Sequence, residues 1–175
     1  MSRGHCILSH GFESGPGATK VGALAQVAQQ LGFTHERPDY TDLDARHQVS
    51  RVGDVPARLQ RLVELAARRA GDGPLVLAGS SLGAYVSALT SLQVPCRALF
   101  LMVPPTSMGP MPALDAAAVP TTVVQAWHDD RVSTPEVIAW SQARSARLLL
   151  LDDDHQLGRH VTTCAQAFEQ LLRQI

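Results

Sequence analysis

The sequence has little of what marks several large classes of protein. Its three cysteines, Cys6, Cys96 and Cys164, are odd in number, far apart and set among apolar neighbours. That excludes a disulfide framework and reads as three buried, reduced thiols, none of them a nucleophile. No apolar run approaches the roughly 18 to 20 residues of a membrane-spanning helix, and the opening stretch before Ser9 is too short for a secretory signal, so a cytoplasmic location is expected. Neither sign of charge prevails: 15 Lys and Arg against 16 Asp and Glu give a formal charge of −1 and an isoelectric point near 6.6. A chain so balanced carries no electrostatic footprint for nucleic acid or an anionic membrane, and neither is expected as a partner. No spacing of His, Cys, Asp or Glu matches a zinc pattern such as H-E-x-x-H, so neither a metal nor a cofactor is expected.

What remains is 175 residues with 45% hydrophobic content, enough for one domain, 1–175, around a sizeable core. Its most informative stretch is Gly79-Ser80-Ser81-Leu82-Gly83. An apolar run, Leu75-Val76-Leu77-Ala78, precedes it, and Leu82, Tyr85, Val86 and Leu89 follow at helical spacing. Strand, sharp turn and helix with G-x-S-x-G at the bend is the pattern of a nucleophile elbow: the serine takes a strained turn conformation and the glycines let strand and helix pass closely. With 13 glycines in the chain, the bare motif would arise by chance on the order of 0.06 times, so its setting carries more weight than its letters. Ser81 alone has both flanking glycines, which sets Ser80 aside as the nucleophile.

The rest of the chain alternates in the same way. A strand over 6–9 opens into His10-Gly11-Phe12 and a glycine-rich loop, and a helix carrying Val21, Leu24, Ala25 and Ala28 stops at Gly32. A short strand over 33–37 ends at Pro38, and 39–53 reads as a long polar surface loop with Tyr40 and Leu43 as its few large apolar groups. Asp54 is placed to cap a helix with Pro56 in its first turn and a face of Leu59, Leu62, Val63 and Ala66. After the elbow helix come a doubly buried strand over 98–103 and a loop over 106–119 with one helical turn near 113–117. A strand over 121–127 follows, then a helix opened by a Ser133-Thr134-Pro135-Glu136 capping box, a last strand over 147–151, and a last helix striped by Val161, Cys164, Phe168 and Leu171. Strands separated by helices require right-handed crossovers, hence a three-layer α/β/α sandwich with about six mainly parallel strands and ligand chemistry at their carboxyl ends.

A serine hydroxyl needs a base to take its proton, and the base needs a third group to fix its tautomer and stabilise its charged form. Ser81, Asp130 and His155 each fall just after a strand, in that chain order. His160 is a weaker candidate base, in the first turn of the last helix, and the run Asp152-Asp153-Asp154 reads as a solvated loop.

On these residues the sequence resembles the α/β-hydrolase superfamily, most closely its small lidless bacterial serine esterases of the YqiA-like kind. The resemblance spans nearly the whole chain: His10-Gly11-Phe12 after the first strand, Gly79 to Gly83 at the elbow, an aspartate before Arg131-Val132, and His155 after the last strand. It implies a minimal six-strand fold without a cap domain, and an oxyanion hole from the main-chain N–H groups of Phe12 and Leu82. His10 is expected to shape the oxyanion loop through a hydrogen bond. The acid loop His128-Asp129-Asp130 is shorter than the H-G-x-x-D of many members, leaving two aspartates. Asp130 is preferred to Asp129 because Arg131-Val132 then matches the usual D-x-V continuation.

The function expected is hydrolysis of small to medium carboxylic esters or thioesters through an acyl-enzyme on Ser81. Too few residues separate Val103 from Thr121 for a lid, so an open cleft is expected, with His10, Tyr40, Met108, Met111 and Leu157 as substrate-binding candidates. The methionines also fit a simple packing role. The alternatives are a non-catalytic ligand- or partner-binding protein on this fold, and an amide or peptide hydrolase. Oligomeric state is not legible.

Overall fold

The structure is a computed structural model that describes residues 2–175. Six strands, β1 (His5–Ser9), β2 (Thr34–Glu36), β3 (Leu75–Ser80), β4 (Ala98–Met102), β5 (Thr121–Ala126) and β6 (Arg147–Leu151), form one sheet in the order β2-β1-β3-β4-β5-β6, with every pair parallel. The helices are α1 (Thr19–Gln30), α2 (Thr41–Asp44), α3 (Val55–Arg69), α4 (Leu82–Ser91), α5 (Thr134–Ala143) and α6 (Val161–Leu172), the last preceded by a 3-10 turn, Gly158–His160.

Side chains of a strand alternate between its two faces, and the two halves of the core follow that alternation. Cys6, Leu8, Val76, Ala78, Phe100, Met102 and Val124 point to one side, where they meet α1 and α6. Ile7, Leu75, Leu77, Leu99, Leu101 and Val123 point to the other, against α3, α4 and Val137 of α5. A parallel sheet covered on both faces must bury continuous apolar runs, and β1, β3 and β4 are buried at every position. The strand order changes direction between β1 and β3. Loops leaving their carboxyl ends therefore part to opposite faces and open a crevice there.

Several local expectations hold. Asp54 Oδ1 accepts the Ala57 N–H at 3.0 Å, and Gly32 takes φ +80° where α1 stops. Others need correction. Residues 39–53 are less of a surface loop than their polarity implies, because α2 tucks Tyr40, Leu43 and Asp44 into the interior. The capping box does not close: Ser133 makes no side-chain cap, and Glu136 instead accepts from the Thr106 hydroxyl. Nor does a helical turn form over 113–117, whose chain is held by bonds to neighbouring helices, from Trp140 Nε1 to the Leu114 carbonyl at 2.9 Å and from Arg144 Nη1 to Asp115 Oδ1 at 2.8 Å. All three cysteines are free thiols, but Cys96 is only half-buried.

Candidate active site

The elbow leaves β3 and turns into α4 with Ser81 at φ 53°, ψ −121°, a backbone conformation that a residue with a Cβ adopts only when its surroundings enforce it. Two features enforce it. The Ser81 N–H donates to the Met102 carbonyl at 2.9 Å, pinning the bend to β4. The flanking glycines admit contacts that no other residue could: a Cβ on Gly79 would stand 2.3 Å from the Gly83 carbonyl carbon, and one on Gly83 would stand 2.2 Å from the Ser9 carbonyl oxygen.

Ser81 Oγ lies 3.0 Å from His155 Nε2. His155 comes from the loop after β6, and its Nδ1 lies 2.9 Å from both carboxylate oxygens of Asp129. The acid that meets the histidine is thus Asp129, and the preference for Asp130 is overturned. The reason is local. Asp129 Oδ1 accepts the N–H groups of Arg131 and Val132, each at 2.9 Å, so its side chain folds back into the turn after β5. There it also accepts from Gln125 Nε2 at 3.1 Å. The Asp129 side chain is 0% exposed, whereas Asp130 faces solvent. The buried valine of the motif, Val132, stands three positions after the acid rather than two. Burial alone would raise the Asp129 carboxyl, but the His155 bond and the two N–H donors outweigh it and hold the group below its ordinary value.

His160 is not part of this constellation. Its Nδ1 bonds Asp153 Oδ2 at 2.9 Å. Asp153 itself is buried, so the acidic run is not simply solvated. Its carboxylate also receives the Arg159 N–H at 3.0 Å and the Arg159 side chain, which ties the His155 loop to the start of α6. Burial works against this charge, but the bonds from His160, Asp154 and Arg159 bring the group down to about 2.

On the other side of Ser81 runs the loop after β1. His10 is buried, with both ring nitrogens engaged: Nε2 accepts the Tyr40 N–H at 3.0 Å, so Nδ1 carries the proton and donates to the Gly11 carbonyl at 2.7 Å. Burial, foremost, lowers its pKa; the Gly11 bond raises it and the Arg58 charge lowers it further. The main-chain N–H groups of Phe12 and Leu82 have no acceptor among the described residues. Phe12 and Leu82 line the same cavity as Ser81, from the loop after β1 and from the start of α4.

These groups open onto a cavity of about 670 Å³. Of the substrate-binding candidates, His10 and Met108 line it, though His10 has no ring nitrogen left to offer. Tyr40, Met111 and Leu157 do not line it. Tyr40 is fully buried with its hydroxyl 3.0 Å from Ser9 Oγ, Leu157 is fully buried against α6, and Met111 packs on the α3/α4 side of the core. The walls instead include Phe12, Val52, Leu82, Pro105 and Val132, with Lys20, Arg131 and Gln156 at the polar side. Val52 belongs to the 39–53 segment and Lys20 to the start of α1, and neither is among the substrate-binding candidates. Arg58 is the other residue missed, and here a signal existed. The buried face of α3 is Val55, Arg58, Leu62, Leu65 and Ala66, so a guanidinium interrupts an apolar stripe.

Three comparisons bear on this geometry. Among curated proteins none matches the chain. A crystal structure from Xanthomonas campestris pv. campestris, given to the alpha/beta hydrolase superfamily, superposes with a TM-score of 0.98 at 65% identity over 99% of this chain and 100% of that one. An alpha-beta serine hydrolase homologue from Coxiella burnetii aligns with a TM-score of 0.73 at 21% identity, over 98% of this chain and 86% of its own. A lidless serine hydrolase from Xanthomonas campestris aligns with a TM-score of 0.71 at 19% identity, over 97% and 81%. Both share the fold. The family model of an uncharacterised protein family, UPF0227, matches residues 5–162, and the chain belongs to that family, on the α/β-hydrolase fold.

Proposed function

We propose that this protein is a serine hydrolase that cleaves small to medium carboxylic esters, thioesters included, through an acyl-enzyme on Ser81. The observation that carries the reading is the continuous relay from Ser81 Oγ through His155 to Asp129, with 3.0 and 2.9 Å links. Ser81 attacks the carbonyl carbon while His155 Nε2 takes its proton, and buried Asp129 keeps Nδ1 protonated and stabilises the imidazolium. The carbonyl oxygen becomes an oxyanion facing the Phe12 and Leu82 N–H groups. His155 returns its proton to the leaving alcohol or thiol, and a water molecule, deprotonated by the same nitrogen, releases the acid.

Cavity size supports substrates of modest bulk, since about 670 Å³ falls within the usual range for small-molecule sites. A fluorophosphonate probe tests the reading directly. It is expected to label the wild type covalently and to leave Ser81→Ala unlabelled, with kcat on nitrophenyl esters reduced about a million-fold. Labelling that persists in Ser81→Ala would sink it.

A further inference from the structure

Arg58 is the largest fully buried side chain among the described residues, 1% exposed. A buried cation is ordinarily paired, and this one is paired poorly. Its nearest carboxylate, Asp44 Oδ2, stands 3.8 Å away without a hydrogen bond, and Arg58 Nε and Nη1 have no partner. Its guanidinium lies over the Tyr40 ring, 4.3 Å from the centroid. The hydrogen bonds it donates leave one nitrogen, Nη2, and go to main-chain carbonyls of the loop after β1, His10 at 2.9 Å and Gly11 at 3.2 Å; the same nitrogen stands 3.2 Å from His10 Nδ1, which carries its own proton and cannot accept. Folding alone gives little reason for such a residue, since apolar replacements of incompletely satisfied buried ions are often neutral or stabilising.

The Gly11 carbonyl shares its planar peptide unit with the Phe12 N–H. No cis peptide occurs among the described residues, so the two groups point in opposite directions. Gly11 O is held from beneath by two donors, His10 Nδ1–H at 2.7 Å and Arg58. The Phe12 N–H therefore points away from Arg58, and Gly11, Phe12 and Ser81 all line the cavity. A cation on the carbonyl oxygen also draws electron density from the amide nitrogen and makes its N–H a stronger donor.

The geometry points to Arg58 as a positioning residue for the reaction, a buried cation that orients and polarises the Phe12 N–H through the Gly11 carbonyl. This rests on the reading of Ser81 as nucleophile and of Phe12 as an oxyanion donor. Arg58 touches no reacting atom. Its effect belongs to the charged oxygen of the tetrahedral intermediate, and so to kcat rather than KM.

The test compares Arg58→Lys and Arg58→Met with wild type on a nitrophenyl ester and on the matching thionoester, whose sulfur is a poor hydrogen-bond acceptor. Losing one oxyanion donor outright costs about a hundred- to a thousand-fold in kcat, which bounds the effect from above. Arg58→Met is expected to lose up to about a hundred-fold in kcat on the oxo ester, and Arg58→Lys, which keeps the charge, about ten-fold. KM stays near wild type and the thionoester rate falls much less, so the oxo-to-thiono ratio drops. A purely structural role would lower both rates in parallel and leave that ratio unchanged, which would overturn the proposal. Melting temperatures identify a variant that fails to fold, and Arg58→Lys retains enough of the interaction to carry the test if Arg58→Met does not. Wild-type turnover and probe labelling with an unchanged ratio would refute Arg58 alone, whereas a wild type that neither turns over nor labels would refute both readings.

Discussion

The assignment of Asp129 over Asp130 gives a sharp test, because the two residues are neighbours and the same substitution can be made at each. In Asp129→Asn the side chain keeps its shape, and an amide oxygen at the Oδ1 position can still accept the Arg131 and Val132 N–H groups that now bond there at 2.9 Å. The turn should therefore survive. The second position becomes an NH2 facing Gln125 Nε2, donor against donor, but Gln125 Oε1 is buried without a partner. A flip of the Gln125 amide would present that oxygen but give up the Gln125 Nε2 bond to Thr134 Oγ1 at 3.1 Å, so a loss of stability of about 1 to 3 kcal/mol is expected. The catalytic loss is much larger. His155 Nδ1 no longer faces a carboxylate, the imidazole is not held with its proton on Nδ1, and Nε2 ceases to be a reliable acceptor for the Ser81 proton. The equivalent change in a serine-histidine-aspartate relay lowers kcat about ten-thousand-fold, or ~5 kcal/mol of barrier. Asp130→Asn, on an exposed side chain that makes no hydrogen bond to the described residues, should stay within about two-fold of wild type, in keeping with the small effects of surface substitutions. Steady-state hydrolysis of a nitrophenyl ester, with melting temperatures for both variants, decides it. An Asp130→Asn loss of the larger size, or a near-normal Asp129→Asn, would refute the geometry.

Two further expectations concern the frame. Gly83→Ala puts a Cβ 2.2 Å from the Ser9 carbonyl oxygen and 2.5 Å from that of His10; backbone cannot yield as a side chain can, so a cost of about 3 kcal/mol or more is expected, read as a lowered melting temperature and loss of probe labelling. Asp153→Asn should lower the melting temperature at neutral pH by leaving His160 and the Arg159 N–H facing an amide. Because the folded Asp153 carboxyl is depressed from 3.8 to about 2, its contribution is complete above the unfolded value and is lost as pH falls through the folded one. The gap between wild type and variant should thus hold from neutral pH to about 4 and narrow toward 2; a gap that widened on acidification would contradict that sign.

Strand and helix positions were legible because both periodicities are strong: β1, β3 and β4 are continuous apolar runs and α6 keeps its stripe. Ser81 and His155 were legible for a related reason: Ser81 directly follows such a run, and His155 stands in the loop that leaves the apolar last strand. Asp129 was obscured because two adjacent aspartates differ only in which one folds back onto the N–H groups of Arg131 and Val132, a matter of three-dimensional turn geometry that no alternation records. Tyr40 and Leu157 were misread for a different reason. Proximity in sequence to a site says nothing about direction, and both turn their side chains into the core. Arg58 was hidden by the ordinary rule that a charged residue on an amphipathic helix faces water.

The order in which the site's parts occur along the chain has a consequence for how it assembles and fails. The loop that carries Phe12 follows the first strand, Ser81 the third, Asp129 the fifth, and His155 the sixth, which is an edge strand paired only with β5. Edge elements with few neighbours open at lower free energy than the centre of a sheet. Heating should therefore detach the base while the elbow remains intact, so inactivation precedes the loss of bulk secondary structure. On the proposed hydrolase reading, turnover regained on refolding would mark the docking of the final strand and helix, making the rate of hydrolysis a clock for the completion of the fold.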